Sequence, residues 1–185
     1  MMTEFQERKI LSLISYFVQN LKYCGVTKLY KTMSFADFES IRRIGKSITG
    51  LDYITYPMGP YPIELNQEIE NKDSFFGSNV SFEVPLGTKI NLVRVKSSFD
   101  SKYFSPVELK VLEDVVFMFS ESKCDEIVEA SHELGSPWQK TVDEKGMYKK
   151  IDPSLALDSS KKDISAEEYE RFVKEEAEFR KMFDE

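Results

Sequence analysis

The chain has 185 residues with 32 acidic and 25 basic side chains, a net charge of −7, and 41% apolar and 13% aromatic content; this excludes a disordered chain and argues against a general nucleic-acid binder, which needs a basic surface. No apolar run approaches the roughly 20 residues that cross a bilayer, and the acidic start, Met1 to Glu7, is unlike the basic head of a signal peptide. Cys24, Cys124 and the single His132 make no metal or redox spacing, so no metal, cofactor or membrane is expected, and two free thiols suit a reducing cytoplasm.

Ile10, Leu11, Ile14, Phe17, Val18 and Leu21 recur at helical spacing and predict a first helix that stops at Cys24-Gly25. A second helix is expected from Thr27, with Leu29, Met33, Ala36, Phe35, Phe38, Ile41 and Ile44 apolar over so much of its circumference that it belongs in the core. Arg42 and Arg43 suit its C-terminal end, and Gly45 stops it. Residues 46–52 are turn-rich.

Tyr53 to Tyr56 is aromatic and β-branched, a short strand. Pro57, Met58, Gly59, Pro60, Tyr61 and Pro62 follow, and the prolines, which lack an N–H and fix φ, are expected to end the strand. The result reads as a rigid aromatic loop, either a stiff corner or a binding loop. Ile63, Leu65 and Ile69 predict a short helix, and 71–79 a loop with exposed Phe75 and Phe76. Val80–Val84 and Ile90–Val95 alternate with period two around Pro85-Leu86-Gly87-Thr88, a β-hairpin.

Ser105-Pro106-Val107-Glu108 is a helix start with Ser as cap and Pro in the first turn. Leu109, Leu112, Val115, Val116 and Phe119 form the buried face of that helix, with Glu108, Glu113 and Asp114 outside. A further helix runs from about Asp125 to Gly135, and Trp138 is expected to lid the core. Residues 142–163 lack any period and read as an irregular polar arm. Ser165-Ala166-Glu167-Glu168 caps a last helix with Tyr169, Phe172, Val173, Phe179, Met182 and Phe183 on its apolar side. The expected fold is α+β: a mostly helical single domain over 1–140 with a small antiparallel sheet, a β-hairpin plus a short strand, followed by a polar arm and amphipathic helix over 141–185.

The order of landmarks resembles the Panacea domain, the family of SocA-like antitoxins also met as phage-associated proteins. Carrying the resemblance are Phe35-Ala36-Asp37, Gly45, Ile48-Thr49-Gly50, Tyr53, Gly59-Pro60-Tyr61-Pro62 with Leu65, and then Ser105, Glu108-Leu109, Leu112, Ser131-His132 and Pro137-Trp138. It covers about Phe5 to Lys140. The resemblance implies an antitoxin of a bacterial or phage toxin-antitoxin system that neutralises a cognate toxin by direct contact, and in the SocA-like case an adaptor that also delivers its toxin to a protease. Thr55 stands where the family usually has a small residue such as alanine.

His132 has no nucleophile or carboxylate partner at catalytic spacing, and the resemblance implies a structural hydrogen bond at the helix end. Asp37, within an apolar helix, reads as a satisfied or exposed carboxylate rather than a catalytic acid. Residues 1–50 hold eight basic and four acidic side chains, about +4, which leaves −11 for the rest; such polarity can steer a protein partner. An enzyme reading lacks a triad, metal cluster or phosphate loop. A DNA-binding reading lacks a basic recognition helix, the nearest substitute being Lys28, Lys31, Arg42, Arg43 and Lys46. The expectation is a non-enzymatic, cytoplasmic interaction protein whose contact is the loop Tyr56, Met58, Gly59, Pro60, Tyr61 and Pro62, with Asp37, Gly45, Thr49, Gly50, His132 and Trp138 as structural support. The alternative is an adaptor or regulatory module without a dedicated toxin.

Overall fold

The computed structural model describes residues 2–157 and 164–183. Helix α1 spans Glu4–Asn20 and opens on a capping box, Thr3 Oγ1 accepting from Gln6 N while Gln6 Oε1 accepts from Thr3 N. Its stripe of Ile10, Leu13, Ile14 and Phe17 is buried. The helix ends at Asn20, earlier than Cys24-Gly25 suggested. Gly25 instead opens the next helix, and its missing side chain matters because a Cβ there would lie 3.3 Å from Ile90 Cγ2 and 3.4 Å from Asn91 O, where a neighbouring strand approaches.

Helix α2, Val26–Ile44, is the axis of the fold. Leu29, Tyr30, Met33 and Ala36 are buried on it, and so are Lys28, Lys31, Thr32, Ser34, Asp37 and Ser40. Gly45 closes it in the left-handed conformation (φ 72°), its N–H donating to Ile41 O. Strands β1 (Ile54–Tyr56) and β2 (Gly59–Tyr61) form one antiparallel pair. After α3 (Ile63–Glu70) and α4 (Phe75–Asn79), strands β3 (Val80–Glu83) and β4 (Leu92–Val95) form a second. Helices α5 (Pro106–Phe119), α6 (Cys124–Ser131), α7 (Pro137–Lys145) and α8 (Ala166–Phe183) follow. The fold is therefore α+β, mostly helical, with the expected hairpin at 80–95; the short strand at 54–56 pairs with Gly59–Tyr61 instead of joining it.

Four expectations change. Residues 71–79 are not an open loop: Ser74 Oγ caps α4 by accepting from Gly77 N, and Phe76 is buried. Glu108 does not lie on an exposed acidic face; its Oε2 turns back to Ser105 N and its Oε1 accepts from Lys9 Nζ at 2.6 Å, both largely shielded from solvent. The stretch from 142 is not irregular throughout. It completes α7 and then runs beside β1, Tyr148 N donating to Thr55 O, Thr55 N to Lys149 O, and Ile151 N to Tyr53 O, which places Ile151 in the core. Backbone pairing needs no side-chain period, so the sequence gives no sign of it. The fourth change concerns charge. Lys28 and Lys31 are interior, Arg42 and Arg43 pair with Glu39, Arg43 also with Asp114, and Arg8, Lys9 and Lys22 pair with Glu4, Glu108 and Glu121, so most of the positive charge of the N-terminal quarter is buried or paired.

The start of α8 docks on the end of α2, Ile164 N donating to Arg42 O and the Phe172 ring lying over Gly45. Tyr169 and Phe172 are half-buried and Val173 is exposed. The side chains of Phe179, Met182 and Phe183 lie outside the described residues.

Candidate protein-binding site

Tyr56 and Gly59 close the β1–β2 hairpin around a two-residue turn, Pro57-Met58. Pro57 does end β1, but Pro60 sits inside β2, opposite Thr55. The register explains why it is tolerated. Thr55 directs both its N–H and its C=O to the 148–149 segment, so the Thr55–Pro60 pair is a non-hydrogen-bonded one in which proline's missing N–H deprives β1 of nothing. Thr55 Oγ1 adds an acceptance from Lys149 N at 2.9 Å and a donation to Gly146 O at 3.0 Å. Threonine, where the resemblance implies a smaller residue, thus ties the hairpin to the segment beyond α7.

Three supports lie beneath the hairpin. Lys31 rises from α2, fully buried, and donates Nζ to Pro60 O at 2.6 Å. Burial favours the neutral amine and lowers its pKa to about 7. Gly59 (φ 96°) rests directly on this stem and on α6; a Cβ there would collide with Ser131 Oγ and lie 2.8 Å from Lys31 Cε. Trp138, at the start of α7, donates Nε1 to Tyr56 O at 3.0 Å. The His132 ring stacks on that indole, centroids 3.8 Å apart at 15°. The hydrogen bond at the helix end comes from the His132 backbone, its N–H donating to Glu129 O at 2.9 Å, while the ring contributes by stacking; its Nε2 is buried with no hydrogen-bond partner among the described residues. Burial, reinforced by the nearby Lys31 amine, lowers the pKa of this imidazole below its ordinary value.

Asp37 anchors the approach to β1. Its carboxyl accepts from Ser47 Oγ at 2.7 Å, Thr49 N at 2.9 Å, Thr49 Oγ1 at 2.5 Å and Tyr53 OH at 2.7 Å. Burial raises its pKa, and the hydrogen bonds from Thr49, Ser47 and Tyr53 oppose that rise. Gly50 turns in the left-handed region (φ 70°), its N–H donating to Ser47 Oγ. Asp37 and Thr49 are thus a buried node, with the exposed Gly50 turn next to it, that delivers Tyr53 to the strand.

On the outer face the aromatic rings form a chain. Tyr30 meets Tyr61 edge-on at 5.5 Å, Tyr61 stacks on Tyr56 at 4.8 Å, and Tyr56 meets Tyr148 edge-on at 5.5 Å. The inner end is fixed by Tyr30 OH donating to Asn66 Oδ1. The outer end is open: Tyr56 is 40% exposed, Met58 44% and Tyr148 61%. Tyr61 is half-buried between the two regimes, and Pro60 and Pro62 are buried. Of the loop residues expected to make contact, Tyr56 and Met58 face solvent, while Gly59, Pro60 and Pro62 form the support. Sequence reasoning missed Tyr148 and Lys31. Tyr148 lies 92 positions from Tyr56, outside any local pattern, whereas a lysine within an otherwise buried stretch of α2 is a detectable signal of a burial role.

Away from the hairpin, a concavity of about 560 Å³ lies between Tyr23, Val26, Ile90 and Cys124. Its Lys28 amine is occupied by the carbonyls of Lys22, Ser120 and Ser122. Cys24 is buried, which pushes its thiol up to about 12, so it is a packing residue rather than a nucleophile.

A family model described as antitoxin SocA-like, Panacea domain, matches residues 29–139. No curated protein and no solved structure matches the chain. The matched segment runs from α2 into α7 and contains the Asp37 node, Lys31, the hairpin and the His132–Trp138 stack.

Proposed function

The chain belongs to the SocA-like antitoxins with a Panacea domain, and we propose that it acts as one in a bacterial or phage-encoded toxin-antitoxin system, neutralising a cognate toxin in the bacterial cytoplasm by direct contact and without catalysis of its own. The observation that carries this reading is the exposed aromatic face on a hairpin locked from below, by Lys31 Nζ on Pro60 O at 2.6 Å and Trp138 Nε1 on Tyr56 O at 3.0 Å. A pre-ordered surface loses little conformational entropy on docking, and aromatic side chains in such positions are frequent binding hot spots. Tyr56, Met58 and Tyr148 are the contact residues in this reading, and Tyr61 is the strut behind them. The test is co-expression with the product of the adjacent reading frame. Restored growth together with a stable complex on a sizing column supports the reading. A harmless neighbour, or one that stays toxic beside soluble protein, refutes it.

A further inference from the structure

We propose that the surface recognised by the hairpin face is basic, a segment of the partner that sets arginine or lysine beside aliphatic side chains. This rests on the hairpin face being the docking surface. Apart from α2 beneath it and β1 beside it, β2 adjoins α3, which continues from it through Pro62, and α6, whose Ser131 packs against Gly59. Helix α3 carries Glu64, Glu68 and Glu70, helix α6 carries Asp125, Glu126 and Glu129, and neither has a basic residue. Glu133 follows in the turn that leads to Trp138. Glu64, Glu70, Glu129 and Glu133 are exposed.

The nearby cations do not cancel this charge at the surface. Lys31 is buried beneath the hairpin with its amine on Pro60 O. Lys150 pairs with Asp52 at 2.5 Å. Lys145 and Lys149 are the exposed cations nearest Tyr148 in the chain, and the exposed Asp143 and Glu144 of α7 offset them. Glu70 Oε1 accepts from Asn66 Nδ2 at 2.9 Å, and Asn66 Oδ1 accepts from Tyr30 OH, which places a carboxylate near the inner end of the aromatic chain. The ring faces of Tyr56 and Tyr148 attract cations through their quadrupoles, arginine above all. An aromatic platform on a hairpin neighboured by two acidic helices therefore suits a guanidinium flanked by aliphatic groups and repels an acidic surface. Basic surfaces of this kind are those with which proteins engage nucleic acid, so an antitoxin with this face would cover such a surface on its toxin.

The experiment uses the full chain and two probes. The first is a short synthetic peptide of alternating arginine and leucine, with a control in which glutamate replaces arginine, titrated at about 0.15 M salt while the ring signals of Tyr56 and Tyr148 are followed by NMR and Trp138, the only tryptophan, by fluorescence. The arginine peptide should shift those rings, the glutamate peptide should not, and the triple variant Glu64→Gln/Glu70→Gln/Glu133→Gln should bind about tenfold more weakly with an unchanged melting temperature. Shifts spread over unrelated residues, equal binding of both peptides, or an indifferent triple variant would overturn the inference. The second probe is the adjacent gene product. If it binds wild type and triple variant equally, and equally at about 0.05 and 0.3 M salt, the basic-partner inference fails while the antitoxin reading stands. If it does not bind at all, the antitoxin reading fails and the peptide titration alone decides the chemistry of the face.

Discussion

Replacing Gly59 with alanine tests how tightly the hairpin is seated. Gly59 adopts φ 96°, and an added Cβ would collide with Ser131 Oγ and lie 2.8 Å from Lys31 Cε. The backbone conformation alone costs an L-residue about 1–2 kcal/mol. The overlap adds about 1–3 kcal/mol, as for an extra methyl in a packed site. Neither neighbour yields freely, since Ser131 Oγ donates to Val128 O at 2.7 Å and the Lys31 stem is held by its bond to Pro60 O. Gly59→Ala should therefore destabilise the fold by about 2–5 kcal/mol, a fall of roughly 5–15 °C in melting temperature for a chain of this size. The assay is denaturant unfolding of wild type, Gly59→Ala, Ser131→Ala and the double variant. Ser131→Ala alone loses one hydrogen bond, about 1 kcal/mol, but it removes the atom that the new methyl strikes. The double variant should then be more stable than the sum of the singles by about 1 kcal/mol or more. A Gly59→Ala cost below about 0.5 kcal/mol, or strict additivity, would show that the hairpin is not pressed onto α6 as described.

Lys31→Met should change the pH dependence of stability. The folded amine titrates at about 7 against 10.5 for the free group, so between those values the unfolded chain binds the extra proton and stability contributed by Lys31 rises with pH, by up to about 1.4 kcal/mol per unit. Between pH 7 and 9 the difference between wild type and Lys31→Met should slope in that direction, and parallel profiles would refute a buried, titrating amine. Asp37→Ala strands four buried or half-buried donors and should cost about 3–5 kcal/mol, whereas Asp37→Asn, which keeps an acceptor oxygen, should cost clearly less; equal costs by urea unfolding would contradict the node. His132 has a lowered pKa, so the neutral ring stabilises the fold above its ordinary value of 6.5 and that contribution should fade as pH drops below it. His132→Phe, which keeps a flat ring against Trp138, should remove that decline in thermal melts.

The helices were legible wherever a local rule governs them. Gly45 after α2, the Ser105-x-x-Glu108 box before α5 and the alternation at 80–95 each act within a few residues, and each appears as the sequence suggests. The landmarks Asp37, Thr49 and Tyr53 were visible only as a spaced set, and their physical content, three residues converging on one carboxylate, needs the fold. What sequence hid has two causes. The 148–151 segment joins β1 through backbone groups whose partners lie about ninety positions away, and no side-chain pattern encodes that. Lysines count as exterior in any pattern reading, so Lys28 and Lys31 read as surface charge, while backbone carbonyls of neighbouring segments take their amines inside.

The most direct test of the binding face is the affinity of Tyr56→Ala and Met58→Ala for the adjacent gene product, measured beside thermal unfolding of the same proteins. Both side chains are largely outside the core, 40% and 44% exposed, so neither change should lower the melting temperature by more than a few degrees, about 1 kcal/mol. The account predicts at least about tenfold weaker binding for Tyr56→Ala, 1.4 kcal/mol or more, with a smaller loss for Met58→Ala. Full affinity in both variants, with the fold intact, would contradict it.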